Sequence, residues 1–360
     1  MLTAIYFVII LLGLLFRKSK TVRFMQYACV FVVFVFNSWN QDDVFYRGIY
    51  IGYYGASHEP GFDLLCQLCY KRGIAYETFR MYYVAIAVIL LLIALNKIFK
   101  DSANRAYSMA MLYPLLPFVE LLRNFMAMAI VTNGIAWYFS AKREKLKEKI
   151  IFALVVLLGA TFHYNVLFNL ILLLPTENWQ RKHTYRQIVL ISLNSILACN
   201  IPVFRRLLSL LFNSEKVMSW FKSSSRIGMG IFIVLAFHII SFLIFDGIYK
   251  AYQRRIKQNL IEKDNLYVLS ERMYAMNIYS FALLGLYTYN MEFFSRLYVF
   301  VLLLNCFYSC CIATKIKAKR VRRLSHIQVL YHIGLFLYFC QPFNPDGIMS
   351  FVLQNNMLFP

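Results

Sequence analysis

The stretch from Gln41 to Phe62 reads QDDVFYRGIYIGYYGASHEPGF and lies between two long apolar runs. It contains an acidic pair, four tyrosines and a His-Glu-Pro-Gly sequence. In lipid, irregular backbone is tolerated only where protein buries it or water reaches it. We therefore expect a ligand to bind at this polar, aromatic-rich loop.

Composition places the chain among membrane proteins. Of its 360 residues, 60% are hydrophobic and 15% are charged, with a mean hydropathy of +0.57, whereas a soluble domain carries about 25% charged residues. Several apolar runs reach the roughly 20 residues that a helix needs to cross the hydrocarbon core, which predicts an all-α, polytopic bundle of about 10–12 spans. We expect one integral membrane domain over residues 1–360. The apolar runs are Leu2–Phe16, Val22–Trp39, Phe79–Ile98, Ala106–Val119, Phe125–Phe139, Ile150–Leu174, Ile188–Phe204, Ile227–Ile248, Ala275–Tyr289, Phe293–Ala313 and Ile327–Phe339.

The net charge of +21 is distributed as in a membrane protein rather than a nucleic-acid-binding protein. Basic residues crowd the ends of apolar runs, which is what the positive-inside rule produces and what suits an anionic inner leaflet. We therefore expect the lipid bilayer, and no nucleic acid, as a partner. The basic clusters are Arg17, Lys18, Lys20 and Arg23; Lys142, Arg143, Lys145, Lys147 and Lys149; and Lys315, Lys317, Lys319, Arg320, Arg322 and Arg323.

The same charges predict the orientation. The first apolar run has no positive residue before it and four after it, so it reads as an uncleaved anchor with its N-terminus outside. Residues 40–77 then form an extracytoplasmic loop between spans 2 and 3, a candidate cap of an active site. Eleven spans would put the basic loop Lys250–Arg272 outside, so an even number is needed. The conflict between the number of spans and the charge of this loop arises between Thr161 and Phe232. In that region, one apolar segment either does not cross the membrane fully or contains two spans.

Cysteines and nucleotide motifs give no sign of a cofactor. Cys66 and Cys69 lie in the loop, where a disulfide is conceivable, but the flanking pattern predicts an amphipathic helix. Two isolated cysteines also lack the second pair of a zinc site. The sequence has no glycine-rich phosphate loop, serine-hydrolase elbow or HExxH motif. We expect neither a metal nor another cofactor.

Four ionisable residues lie in or beside apolar runs: Glu120, Arg123, His163 and Arg296. Each such group costs at least about 2.5 kcal/mol to insert, so it normally faces a cavity or a partner. Taken singly, Arg123 is explained by snorkelling to the interface or pairing with Glu120 one helical turn away, and His163 by a hydrogen bond to a neighbouring helix. As a set they indicate a site, because they come out on the face that carries the loop.

The chemistry these residues share is recognition of a diphosphate. Two guanidinium groups, at Arg123 and Arg296, match phosphate oxygens and stay charged when desolvated. Glycosyl transfer from a lipid diphosphate needs such a charge on the leaving group, and a carboxylate or imidazole to take the proton of the acceptor hydroxyl. His163 suits the proton transfer or a hydrogen bond to phosphate.

The loop offers the carboxylates. Asp42 and Asp43 follow the second span directly and are the preferred base, whereas Glu59, presented by a Pro-Gly turn, orients sugar hydroxyls. The spacing of Tyr46, Tyr50 and Tyr53 puts all three on one side of a short helix. Two interpretations stay open for Tyr46 and Tyr50: an aromatic belt at the interface, or stacking on sugar rings.

The ordered set of these motifs resembles the EpsG-type family of Wzy-like polymerases for exopolysaccharide and O-antigen, across roughly Arg23 to Ala313. The chain has Asn124 after Arg123, where the family pattern leads us to expect Gln. The matching features are Asp42-Asp43 with Tyr46 and Tyr50, Glu59-Pro60-Gly61-Phe62, Arg123 with Ala127, Phe162-His163, and Arg296 with Tyr298.

The resemblance implies a GT-C-like helical fold, a donor linked to undecaprenyl diphosphate, and polymerisation at the outer face of the cytoplasmic (cell inner) membrane. It also implies a chain-length regulator and a flippase of the same pathway as partners. Two other functions are weighed against it. A lipid-linked oligosaccharide flippase predicts an internal repeat between halves, which the sequence lacks. A membrane-bound acyltransferase with His163 as base predicts an inward acyl-CoA site, which the outward polar residues disfavour.

Overall fold

A computed structural model describes residues 1–40, 42–55, 57, 59–100, 104–139, 146–174, 184–203, 206, 229–287, 291–316 and 318–359. Side chains are described throughout these ranges except at 229–231, 286–287 and 291–297.

Most of the described residues are helical, and the only β-type pairing among them is a single bridge between Asn37 and Asn356. Short 3₁₀ segments occupy Leu116–Val119, Tyr164–Leu173 and Ser280–Leu283, and a π-helical turn occupies Phe336–Cys340. The α-helices are α1 (Leu2–Leu15), α2 (Lys20–Val35), α3 (Asp43–Tyr50), α4 (Pro60–Lys71), α5 (Tyr76–Ile98), α6 (Asn104–Leu112), α7 (Leu122–Tyr138), α8 (Leu146–Ala160), α9 (Thr184–Asn200), α10 (Met229–Lys257), α11 (Asn265–Tyr279), α12 (Leu284–Tyr287), α13 (Met291–Lys315), α14 (Lys319–Leu335) and α15 (Ile348–Gln354).

Three helical stretches in the described part of the chain have the length and composition to cross a membrane: Tyr76–Ile98, Phe232–Lys257 and Tyr298–Lys315. Two shorter apolar helices, Leu2–Leu15 and Tyr164–Leu173, accompany them. This agrees with a helical membrane protein, as the composition predicts. The number of about 10–12 spans, the GT-C-like arrangement and the single domain over 1–360 remain predictions.

Local sequence explains where several helices begin and end. Ser19 caps α2 by accepting from the Val22 amide, and Asp264 caps α11 by accepting from the Tyr267 amide at 3.0 Å. Pro60 opens α4, where its missing N–H costs nothing. The expected amphipathic helix around Cys66 and Cys69 is therefore confirmed, and both thiols are free.

Helix α3 is shorter than the tyrosine spacing predicts. It ends at Tyr50, and the chain then turns through Gly52, which has a φ of +79°. Tyr46 and Tyr50 share the buried face of α3, but Tyr53 lies beyond the helix and is 78% exposed. The prediction that all three line one side of a helix is wrong for Tyr53, because the left-handed glycine ends the helix.

The apolar run Ile150–Leu174 is not one span. Helix α8 ends at Ala160, His163 has an extended backbone (φ −163°, ψ 124°), and a 3₁₀ segment starts at Tyr164. This segment packs against α7, α8 and α11. His163 therefore lies at a break between two helical pieces rather than within a helix, and this break falls in the region where the count of spans fails.

The two ends of the helical body differ in charge. Helices α5 and α7 both start at the end that carries the loop residues Asp43 and Glu59. They finish at the other end, where Lys97, Lys100 and Lys315 surround one cavity. This separation is the pattern expected from the positive-inside rule.

Candidate functional site

Glu59 is the centre of the candidate site. It has an extended backbone (φ −117°, ψ 92°) directly before α4, and its side chain is fully buried. One carboxylate oxygen, Oε2, accepts a hydrogen bond from Nη1 of Arg123, and the other, Oε1, lies 2.6 Å from Nδ1 of His163. The three residues come from the loop, the start of α7 and the break after α8. Their side chains form one buried network.

A backbone contact holds the loop against the break. The amide of Gly61 donates to the carbonyl oxygen of Thr161 at 2.9 Å. A Cβ atom added at Gly61 would lie 2.3 Å from Oγ1 and 3.2 Å from the backbone oxygen of Thr161. Only glycine allows this approach, so the Pro60-Gly61 pair both starts α4 and places Glu59 beside His163.

Aromatic rings surround the Arg123 guanidinium. Its central carbon lies 5.5 Å from the ring centroid of Tyr46, 5.6 Å from that of Phe45 and 5.9 Å from that of Phe62. Such contacts stabilise a desolvated cation. Nε of Arg123 is buried and has no hydrogen-bond partner. The site thus combines a permanent positive charge with an uncommitted donor in a low-dielectric environment.

The contact with Glu59 fixes the orientation of the imidazole. A carboxylate beside Nδ1 favours the tautomer in which Nδ1 carries the hydrogen, so Nε2 of a neutral ring is the nitrogen that accepts a proton. A carboxylate in this position also favours the protonated form of the ring over the neutral one. His163 and Glu59 therefore have the arrangement of a general base and its orienting acid.

Asp43 belongs to a second buried network beside this site. It accepts a hydrogen bond from the Tyr76 hydroxyl at 2.9 Å and lies 3.6 Å from Nε of Arg80. Arg80 also donates to Asn37, at its backbone oxygen and at 2.7 Å to its Oδ1. Arg80 is not among the candidate residues predicted from the sequence, although an arginine one residue into the run Phe79–Ile98 is a recognisable signal of a buried partner.

The expected ion pair between Glu120 and Arg123 is not formed in the described part of the chain, where Arg123 pairs with Glu59. Glu120 lies in the turn before α7, and its buried Oε1 has no hydrogen-bond partner. Burial raises the pKa of Glu120 to about 7, and the nearby Asp42 carboxylate adds to the effect. Glu120 and Asp42 are therefore neighbours at the edge of the site.

The predicted tyrosines have different environments. Tyr46 packs beneath Arg123 and against the ring of Phe62. The Tyr50 hydroxyl donates to the Ile74 carbonyl at 2.7 Å, and its ring packs among other aromatic rings, so it is a buried structural residue of the loop. The structure places Tyr46 in the site and Tyr50 behind it.

Arg296, predicted to bind the diphosphate, and His58, the histidine of the His-Glu-Pro-Gly sequence, cannot be placed in the site. The side chain of Arg296 in α13 and all of His58 lie outside the described residues. In the described ranges, no group of three or more His, Cys, Asp or Glu side chains is arranged to hold a metal ion.

Three amides next to the network are not predicted from the sequence as site residues, although Asn124 is noted there as a departure from the family pattern. Asn124, Asn165 and Asn169 line a cavity of about 10 Å³ between α7 and the 3₁₀ segment. Nδ2 of Asn124, Nδ2 of Asn165 and Oδ1 of Asn169 are buried without hydrogen-bond partners. A space of this size suits one water molecule with two donors and one acceptor around it.

The fold and the site define a helical membrane protein with a buried carboxylate–arginine–histidine network at one end. The chain belongs to the EpsG family, whose sequence profile matches residues 24–351. Membership indicates a polymerase-type role in exopolysaccharide synthesis, of the glycosyltransferase kind. No curated protein and no solved structure matches the chain.

Proposed function

We propose that this protein extends a polysaccharide by transferring glycan from an undecaprenyl-diphosphate-linked donor onto a lipid-linked repeat unit at the outer face of the cytoplasmic membrane. The observation that carries the proposal is the buried network of Glu59, Arg123 and His163. It supplies both groups that the reaction requires: a cation for a diphosphate leaving group and a base for an acceptor hydroxyl.

The proposed base is His163, oriented by Glu59. As the acceptor oxygen bonds to the anomeric carbon, its proton passes to Nε2 of the imidazole, and Glu59 stabilises the resulting imidazolium. The carbon–oxygen bond to the diphosphate breaks in the same step, and the bonding electrons leave with the diphosphate. The assignment of His163 as the base replaces the preference for Asp42 or Asp43 that the sequence suggested. Asp43 is already bound to Tyr76 and Arg80.

Arg123 is the residue proposed to bind the diphosphate. Its charge is permanent, its Nη1 is held by Glu59, and its buried Nε is available to a phosphate oxygen. Arg296 is retained as a second candidate from the sequence. Lipid access from the bilayer suits a site that packs against α5, a helix with the length of a membrane span.

The test uses membranes supplied with lipid-linked repeat units and measures chain length on gels. Arg123→Lys loses the fork geometry and is expected to abolish most polymer at normal expression. His163→Gln keeps one hydrogen bond without titration and is expected to lose extension while retaining donor binding. The matched control is Arg47→Lys. Arg47 also pairs with a glutamate, Glu77, at 2.7 Å, but the Arg47 side chain is 45% exposed and that of Glu77 is 44% exposed. Full-length polymer from either site variant contradicts the assigned role.

Cells that lack the protein separate the alternative functions. A lost polymerase leaves single repeat units capped on the outer face, whereas a lost flippase strands them inside. A lost acyltransferase leaves chain length unchanged. Asp42→Asn is expected to extend chains, and failure of extension with retained donor binding in this variant would return the base to the loop carboxylates.

A further inference from the structure

A second cavity, of about 450 Å³, lies at the opposite end of α7 from the Glu59 network. It is formed where α5, α7 and α13 end and α11 begins, and Phe139 is among its lining residues. Along α7, Arg123 and Phe139 are separated by about 24 Å at 1.5 Å per residue. That distance approaches the roughly 30 Å of a hydrocarbon core, so the two sites belong to opposite membrane faces.

The polar part of this cavity is positively charged. Of the described residues, Lys97, Lys100 and Lys315 line it together with one carboxylate, that of Asp264. Asp264 is already committed: it pairs with Lys315 at 2.7 Å and accepts from the Tyr252 hydroxyl at 2.8 Å. Lys97 and Lys100 make no ion pair with any described residue. Two ammonium groups therefore face the cavity without a counter-charge from any residue that the structure describes.

Apart from the Asn265 amide, the rest of the described wall is apolar. Ile98, Ala136, Phe139, Leu266 and Leu269 supply hydrocarbon surface beside the lysines. A free inorganic anion makes no favourable contact with an apolar wall. A lipid, in contrast, places its phosphate among cations and its glycerol and first acyl carbons against apolar side chains. Basic pockets between helices on the cytoplasmic side are typical sites for anionic headgroups.

We propose that this cavity binds the headgroup of an anionic phospholipid from the cytoplasmic leaflet, with the phosphate held by Lys97 and Lys100. Lys315 stays paired with Asp264 and closes one side. The bound lipid ties the ends of α5, α7, α11 and α13 together at the face away from the reaction. This binding is independent of the proposed glycan transfer and does not need the Glu59 network.

The test counts retained lipids by native mass spectrometry of purified protein from nanodiscs of phosphatidylcholine with phosphatidylglycerol. Wild type is expected to retain phosphatidylglycerol preferentially. The double variant Lys97→Gln/Lys100→Gln is expected to lose that preference, with at least a tenfold weaker affinity. The matched control is Arg254→Gln/Lys257→Gln, which removes two charges from the exposed end of α10 outside the cavity. Thermal unfolding of each variant verifies folding.

Three results would overturn the proposal, and two of them concern the cavity itself. One is equal retention of phosphatidylglycerol by wild type and the cavity variant. The other is that inorganic phosphate displaces the lipid at the same concentration as glycerophosphoglycerol does. That result would define a site for free anions in which the apolar wall plays no part. An equal loss in the Arg254→Gln/Lys257→Gln control would assign the preference to general surface charge and would equally reject the cavity.

Discussion

Replacing Glu59 by glutamine tests the buried network most directly. Both oxygens of the carboxylate are used, one by Arg123 and one by His163 at 2.6 Å. Glutamine keeps one acceptor oxygen but turns an NH₂ group toward a second donor, and it leaves the Arg123 charge uncompensated. Removing one partner of a buried pair costs about 3–5 kcal/mol.

The chain provides a matched comparison at the same end of the body. Glu77 pairs with Arg47 at 2.7 Å, but both side chains are nearly half exposed. An exposed pair contributes about 0.2–1 kcal/mol. Glu77→Gln is therefore expected to change stability several-fold less than Glu59→Gln.

The assay has two parts. Equilibrium denaturation in mixed detergent micelles gives the free energy of unfolding, and chain extension in membranes gives activity. Because a positioned general base contributes about 10²–10⁴-fold, extension by Glu59→Gln is expected to fall by that factor, with Glu77→Gln near wild type. Equal destabilisation by the two variants would refute the buried network, and undiminished extension by a folded Glu59→Gln protein would refute the role of Glu59 in orienting His163.

Two further predictions follow from the same region. Glu120→Gln removes a carboxyl group whose pKa in the folded state is raised to about 7 by burial and by Asp42. An acid with a raised folded pKa destabilises the fold as the pH rises from about 4.5 through about 7. The thermal midpoint of the variant should therefore depend less on pH across that window and be higher at pH 8 than that of the wild type, and an unchanged pH profile would contradict this reasoning. Gly61→Ala should lower the thermal midpoint and extension activity because its Cβ meets Thr161, whereas glycine to alanine in an unobstructed helix stabilises by about 0.5–1 kcal/mol, so a stabilised variant would refute the close approach.

Much of this protein follows from its sequence. Apolar runs and low charge determine a helical membrane protein, because lipid forces backbone groups to hydrogen-bond within helices. The basic clusters separate one end of the body from the other. Proline at position 60 and the pattern around Cys66 predict α4, and the ordered motifs indicate the family whose profile covers residues 24–351.

The partners of each charged side chain were decided by tertiary structure. Glu120 is three residues from Arg123, yet Arg123 binds Glu59, which is 64 residues away, and His163 contacts Glu59 across 104 residues. The turn before α7 separates Glu120 from Arg123, so helical spacing does not apply to that pair.

The break at His163 was also decided by tertiary structure. Thr161, His163 and Asn165 place polar side chains in this apolar run, but the sequence does not tell a polar face of one continuous helix from a break between two. The break is held by the contact of Thr161 with Gly61, a residue of a distant loop. A sequence pattern predicts whether a segment is buried in an apolar or a polar environment. The partner of a buried charge, in contrast, depends on which segments pack together.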